Sequence, residues 1–445
     1  MEITNDLNNK FKSTFQSDAK KKLAKNAAVK NGINNASFDE TVAVKANPEF
    51  SVEVKTGKVP NQKSSGRCWL FANLNVLRED FVQSTNLGDK NVELSQTYIY
   101  FFDKFEKANY FYENILNTAD LPLDSREVAF LLQTPQEDGG QWDMIISLLD
   151  KYGIVPQSAM PDNANSEASG QLNNYLNKRL RIDAKILRQL VEEGASEENI
   201  DEKREELLEN IYNILSISLG TPPETFDFEY RNTDDEFIQR IGITPDEFYK
   251  EFITMDMHDY VPVINAPTAN KPYNQTYSVD MLGNVVGGQE VKYLNIEMDI
   301  LKEATIKQLQ AGETVWFGCD VGQSSERKQG AMALGIYDVE NLFDVNFESN
   351  KTDRLEYGES VLTHAMVITG VDLVDGKPTK WKVQNSWGDK VGNKGYFTMT
   401  DEWMDEYAYQ VVVNKKYLPE EYVSLFETNE PTLLPAWDPM GSLAL

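Results

Sequence analysis

The 445-residue chain reads as an α+β protein, with a helix-rich first half feeding a strand-rich second half. Two patterns predict this. Behind Cys68, the residues Leu70, Leu74, Leu77 and Phe81 stand at i, i+4, i+7 and i+11, the apolar stripe of a helix. From Tyr260 onward the runs VPVINAP, TYSVDMLGNVVGG, TVWFGCDVG, VLTHAMVITGVD, TKWKVQNSW, GYFTM and YQVVVNK are β-branched or aromatic and separated by glycine, proline or charged turns. That is the signature of an antiparallel sheet.

Residues 1–62 form a polar lead-in, in which 20–30 predict a surface helix whose lysines face water. Residues 63–161 are the helical lobe, with helices expected over 93–111, 125–132 and 142–151. A turn at Asp138, Gly139 and Gly140 opens the last of these. Residues 162–259 read as a helical insertion. Ile186, Leu187, Leu190 and Val191 share one helical face, and Leu208, Ile211, Tyr212 and Leu215 share another. Between these faces, residues 192–209 hold nine acidic and two basic side chains, a solvated surface. Residues 260–430 form the β-rich lobe and 431–445 an apolar, turn-rich tail, LPAWDPMGSLAL at its end, which predicts docking rather than disorder.

A net charge of −28 repels phosphate backbones and argues against nucleic-acid binding. Two cysteines cannot build a disulfide framework, which points to a reducing cytoplasm. No apolar segment follows the early lysines as a secretory signal would require, and no run of 18 apolar residues predicts a membrane span.

Cys68 is expected in the first turn of its helix, with Ser64 or Ser65 as cap, where the helix dipole favours a thiolate. Such settings lower thiol pKa values to roughly 3.5–7.5; a small buried core residue is the alternative reading. His364 lies in a strand-like run, Asn385 follows twenty-one residues later at a strand end, and Gln62 precedes Cys68 by six. The alternation Trp381, Val383, Asn385 turns Asn385 inward and Lys382, Gln384 and Ser386 outward. Nucleophilic acyl transfer needs this set: a thiolate, an imidazole to move the proton, an amide to orient the imidazole, and an oxyanion donor. Gly139 and Gly140 make either a plain turn or a place where backbone meets a ligand. Cys319, after Trp316, Phe317 and Gly318, reads as a buried strand residue. His258, flanked by Asp256 and Asp259, is a poor metal site, because chain neighbours seldom point at one ion.

These residues, together with ELSQTYIYFFDKFEKANYF, DGGQWDM, VPVINAPTANKPYNQTY, LGNVVGG, VWFGCDVGQSSERKQG and LPAWDPMGSLAL, resemble the papain superfamily, and within it the bleomycin hydrolase and aminopeptidase C group, over essentially the whole length. The resemblance implies a papain-like two-lobed fold, a helical lobe beside an antiparallel β-barrel-like lobe, with the helical insertion mediating a homohexamer. It implies peptide substrates and no cofactor. It assigns Cys68 as nucleophile, His364 as acid and base, Asn385 as its orienting partner and Gln62 as oxyanion donor. Gly139 and Gly140 match a cleft wall that pairs with substrate backbone, and Trp387 covers the His364–Asn385 bond. A C-terminal arm enters the cleft, so that Ala444 and Leu445 set an aminopeptidase ruler through the terminal carboxylate. Three departures stand out: Ser442 where the group commonly has alanine, an extra Leu445, and Gln384 where glutamate is usual before NSWG. The longer tail leaves an endopeptidase of the same fold as the first rival, and an inert assembly protein as the second.

Overall fold

The structure is a computed structural model that describes residues 1–89 and 91–442. Ala444 and Leu445 lie outside the described residues. Helices α1 (Asn5–Ser17) and α2 (Ala19–Asn31) bury no side chain, in keeping with the polar sequence of the first and the lysines of the second. The lead-in then follows the β lobe: Phe38 bridges to Tyr337, Val52 pairs with Val371, and Asn61 bridges to Trp387.

The helical lobe is built from α3 (Cys68–Ser84), α4 (Gln96–Asn117), α5 (Arg126–Gln133) and α6 (Trp142–Tyr152). Helix α3 exceeds its predicted stripe. Trp69, Phe71, Ala72 and Asn73 are buried along with Leu70, Leu74, Leu77 and Phe81, so the helix is enclosed on all sides, as a helix central to a large core is.

In the insertion, α7 (Gly170–Glu192) buries Leu172, Leu176, Leu180, Ala184 and Leu187, and α8 (Glu197–Leu219) buries Leu207, Ile211, Leu215 and Leu219. The expected faces were partly displaced. Val191 is exposed, and Leu207 rather than Leu208 is fully buried. The faces are covered from within the chain, since both helices pack on α4 and Tyr212 meets the rings of Phe101 and Phe105 edge-on. A hairpin of β1 (Phe226–Arg231) and β2 (Phe237–Ile243) follows, which the helical reading of this stretch missed. Its inward Phe228 joins Phe81, Phe248 and Phe252 in an aromatic cluster under α3.

The large sheet has the central order β3 (Tyr260–Ile264), β8 (Ala408–Asn414), β4 (Val315–Cys319), β5 (His364–Val374), β6 (Lys377–Gln384) and β7 (Tyr396–Thr400). These neighbours are antiparallel. Parallel pairing occurs at the flanks, where the tail strand Thr432–Leu434 lies beside Gln275–Val279. Both faces are buried by alternation. Trp316, Ala365, Val367 and Val412 point into the core shared with the helical lobe, while Phe317, Met366, Ile368 and Val411 point into a second core with Trp381 and Trp403. The helical lobe therefore rests directly on one face of the sheet.

Candidate active site

Cys68 is the first residue of α3, as expected, but the cap is not a serine. Arg67 occupies the cap position without a side-chain bond to the helix, and Ser65 instead donates to the Gln62 carbonyl while accepting from Arg67 Nε. Arg67 is fully buried, paired with Asp162 at 2.7 Å and flanked by the rings of Phe71 and Tyr100. The turn ahead of the cysteine is thus fixed by a buried cation that the motif alone did not reveal.

Asp138 fixes the same turn from the other side. Its carboxylate accepts from the Gly66 amide at 2.9 Å, Tyr100 Oη at 2.7 Å and Asn173 Nδ2 at 2.7 Å, as well as from Ser169, and it pairs with buried Lys104 at 2.8 Å. Its carbonyl takes the Trp69 indole N–H at 2.7 Å. Burial alone would raise this carboxyl, but Lys104 and the hydrogen bonds outweigh it and hold the group far below the ordinary carboxylate range. Gly66 must be glycine because a Cβ there would lie 2.7 Å from Asp138 Cβ.

Opposite α3, His364 begins β5 and Asn385 follows the end of β6, both buried. His364 Nε2 and Asn385 Oδ1 are 2.9 Å apart, which leaves Nδ1 as the ring nitrogen available to a thiol. Trp387 stacks on the imidazole, ring centres 5.0 Å apart and 29° from parallel. Gln62 is tied to the same strand end. Its amide N–H donates to the Ser386 carbonyl at 2.8 Å, its Oε1 accepts from Ser386, and its Nε2 donates one hydrogen to the Ser65 carbonyl at 2.6 Å. A side-chain amide nitrogen carries two hydrogens, so one remains for an incoming oxyanion. The outward assignment of Gln384 and Ser386 fails, as both are buried like their neighbours, because the chain ahead of Cys68 covers that face.

Cys68, His364, Gln62 and Trp387 line one cleft of about 740 Å³. The Cys68 thiol points back to the Gly66 carbonyl at 4.0 Å. Here the expectation of a lowered thiol pKa fails: burial pushes Cys68 up to about 11, ahead of the lowering effect of the Ala365 and Trp69 amides. Burial likewise pushes His364 down to about 4, with the Asn385 bond opposing and the Arg327 charge assisting. Each charge is costly by itself on a side chain this buried. A proton passed from sulfur to imidazole creates both charges together, and their attraction offsets much of the loss of solvation.

Gly139 and Gly140 are buried rather than on the described wall of this cleft. The Gly139 carbonyl accepts from Lys107 at 2.6 Å, and a Cβ on Gly140 would come 2.6 Å from the Trp69 ring. The smallness of Gly140 serves the packing of α3. The adjoining Gln141 Nε2 donates to the Ser442 carbonyl at 3.5 Å, so the tail arrives beside this segment. Lys271 and Asp438, both almost fully buried and 2.8 Å apart, pin the tail, and Trp437 carries the Arg126 guanidinium 3.8 Å above its ring. His258 is exposed and faces Asp150 across 3.0 Å. Cys319 is wholly buried, in register with His364 on the neighbouring strand. Iodoacetamide is therefore expected to label Cys68 at least ~100-fold faster than Cys319, as read by peptide mass spectrometry; equal rates would contradict the assignment of the nucleophile.

Among the described residues, no helix is long and apolar enough to cross a membrane. The profile of the Peptidase C1-like family matches residues 2–441. Aminopeptidase C of Listeria innocua is 52% identical over 444 residues, covering 100% of this chain and 99% of its own. Aminopeptidase C of Lactococcus lactis subsp. lactis is 50% identical over 446 residues, covering 100% of both. Among solved structures, pepw from Lactobacillus rhamnosis is 52% identical, with a TM-score of 0.97 over 100% of this chain and 99% of that one. With its cysteine, histidine and asparagine gathered at one cleft between a helical and a β lobe, the chain belongs to the Peptidase C1-like family, in the aminopeptidase C and bleomycin hydrolase group, and is a cysteine peptidase.

Proposed function

We propose that the chain is a cysteine aminopeptidase that removes N-terminal residues from peptides through a thioester. The observation that carries this reading is the His364–Asn385 hydrogen bond at the cleft lined by Cys68, with the tail held against Gln141. Cys68 passes its proton to His364 and attacks the carbonyl of the first peptide bond. The free Gln62 N–H and the Cys68 backbone amide, unpaired at the helix start, receive the oxyanion. His364 protonates the departing amine, the C–N bond breaks, and water activated by the same ring then cleaves the thioester. Asn385 holds the ring plane and tautomer, and Trp387 shields that bond from water.

The tail supplies the exopeptidase limit. Strand pairing of 432–434 and the Lys271–Asp438 pair hold the described part of the tail, which supports a tail-set limit against longer chains. Deleting 443–445 is expected to raise hydrolysis of N-blocked chromogenic peptides at least ~10-fold relative to their free-amino counterparts. An unchanged ratio would remove the tail from the explanation, and efficient cleavage of blocked substrates by the intact chain would overturn the aminopeptidase reading itself. The same reading places the protein in the cytoplasm as a homohexamer. Phe11, Phe15, Leu23 and Val29, exposed on α1 and α2, support such an assembly, and sedimentation tests it.

A further inference from the structure

Arg327 lies in the turn between the short strands Ser325–Glu326 and Ala331–Met332, at the flank of the sheet beyond β7. Its guanidinium carbon sits 3.8 Å above the Trp387 ring, the ring that stacks on His364. Acidic side chains outnumber basic ones 71 to 43 in this chain, yet the Arg327 side chain has no carboxylate partner and no hydrogen bond among the described residues. Stacking occupies the face of a guanidinium and leaves its edge, with the N–H groups, pointing outward.

The surroundings share that sign. Trp387 also lines a hollow of about 340 Å³ whose charged residues are Lys58, Lys63, Lys390, Glu93 and Asp389. None of the three lysines has an ion pair among the described residues. A protein of net charge −28 therefore presents three unpaired lysines around the ring that stacks on its catalytic imidazole, drawn from both sides of the cleft. If the tail closes the acyl side, the departing peptide leaves past Trp387.

We propose that Arg327 and these lysines form a subsite for the α-carboxylate of the departing peptide, which makes short peptides, dipeptides and tripeptides, the favoured substrates. This rests on the aminopeptidase reading above and specifies its substrate class. The reach agrees. The guanidinium carbon lies within about 9 Å of the imidazole centre, the sum of the two ring spacings. A departing amine is protonated at hydrogen-bond distance from the ring, and each leaving residue adds at most roughly 3.5 Å before its carboxylate. One or two residues thus bring the carboxylate to a guanidinium that can bind it with two parallel hydrogen bonds.

The test compares a free-amino dipeptide with its C-terminal amide, and the matching tripeptide pair, by kcat/KM in the intact protein, Arg327→Gln and Arg327→Lys. The acid-to-amide ratio is internal to each variant, so a general loss of activity cancels. The wild-type protein is expected to prefer the acid about 10-fold, Arg327→Gln to bring the ratio close to one, and Arg327→Lys to fall between, with the preference shrinking at high salt. A wild-type ratio near one, or a ratio unchanged in Arg327→Gln, overturns the subsite alone. No turnover of any free-amino peptide overturns the aminopeptidase reading and the subsite with it.

Discussion

Cys68→Ser is expected to lower kcat/KM on a free-amino dipeptide by about 10⁴-fold or more, while KM stays within about threefold. The size of the loss follows from the imidazole. Burial makes His364 a weak base, with its pKa down at about 4, and a hydroxyl holds its proton far more tightly than a thiol does. The groove itself is unchanged, since serine is nearly isosteric with cysteine. Steady-state kinetics measure this directly. A serine variant within tenfold of the parent would mean that sulfur is not the attacking atom.

The second large effect concerns stability. Asp138→Ala is expected to cost about 3–5 kcal/mol in urea unfolding, because Lys104 is left charged and buried without its partner. The Gly66 amide loses its acceptor as well, and the turn that carries Gln62 and Cys68 loses its support. Removing Lys104 in addition, as Lys104→Met, is expected to restore part of the loss, since the orphaned cation is gone. Additive losses would show that the two charges act independently. The pH dependence has a definite sign. The folded-state pKa of Asp138 is depressed below 3.8, so its contribution is complete above that value and is lost only as pH falls well beneath it.

Much of the site could be read from the chain, because catalysis restricts residue type. A cysteine at a helix start, a histidine at a strand start and an asparagine at a strand end recur here as Cys68, His364 and Asn385. Periodicity likewise located α4, α5 and α6 and every central strand. Other features depend on tertiary contact. Gly139 and Gly140 read as either a turn or a ligand approach, and only the fold shows that the Gly139 carbonyl meets Lys107 and that Gly140 packs against Trp69, each far away in sequence. Asp138 passed for a turn residue, and only the arrival of Gly66, Lys104 and Asn173 around it gives it a role. The thiol pKa was misjudged because dipole and capping are local and legible, whereas desolvation is set by the whole core. The β1–β2 hairpin escaped notice because most of its side chains face water, which blurs the alternation that marks a strand.

Both cysteines are unbridged, and the turn before the nucleophile is clamped instead by Asp138, Lys104 and Arg67. Millimolar dithiothreitol consequently has nothing in the scaffold to break and can only keep the reactive sulfur available. The molecule gains from reductant what a disulfide-braced relative would lose, and mild peroxide should silence it at one atom while its melting behaviour stays as it was.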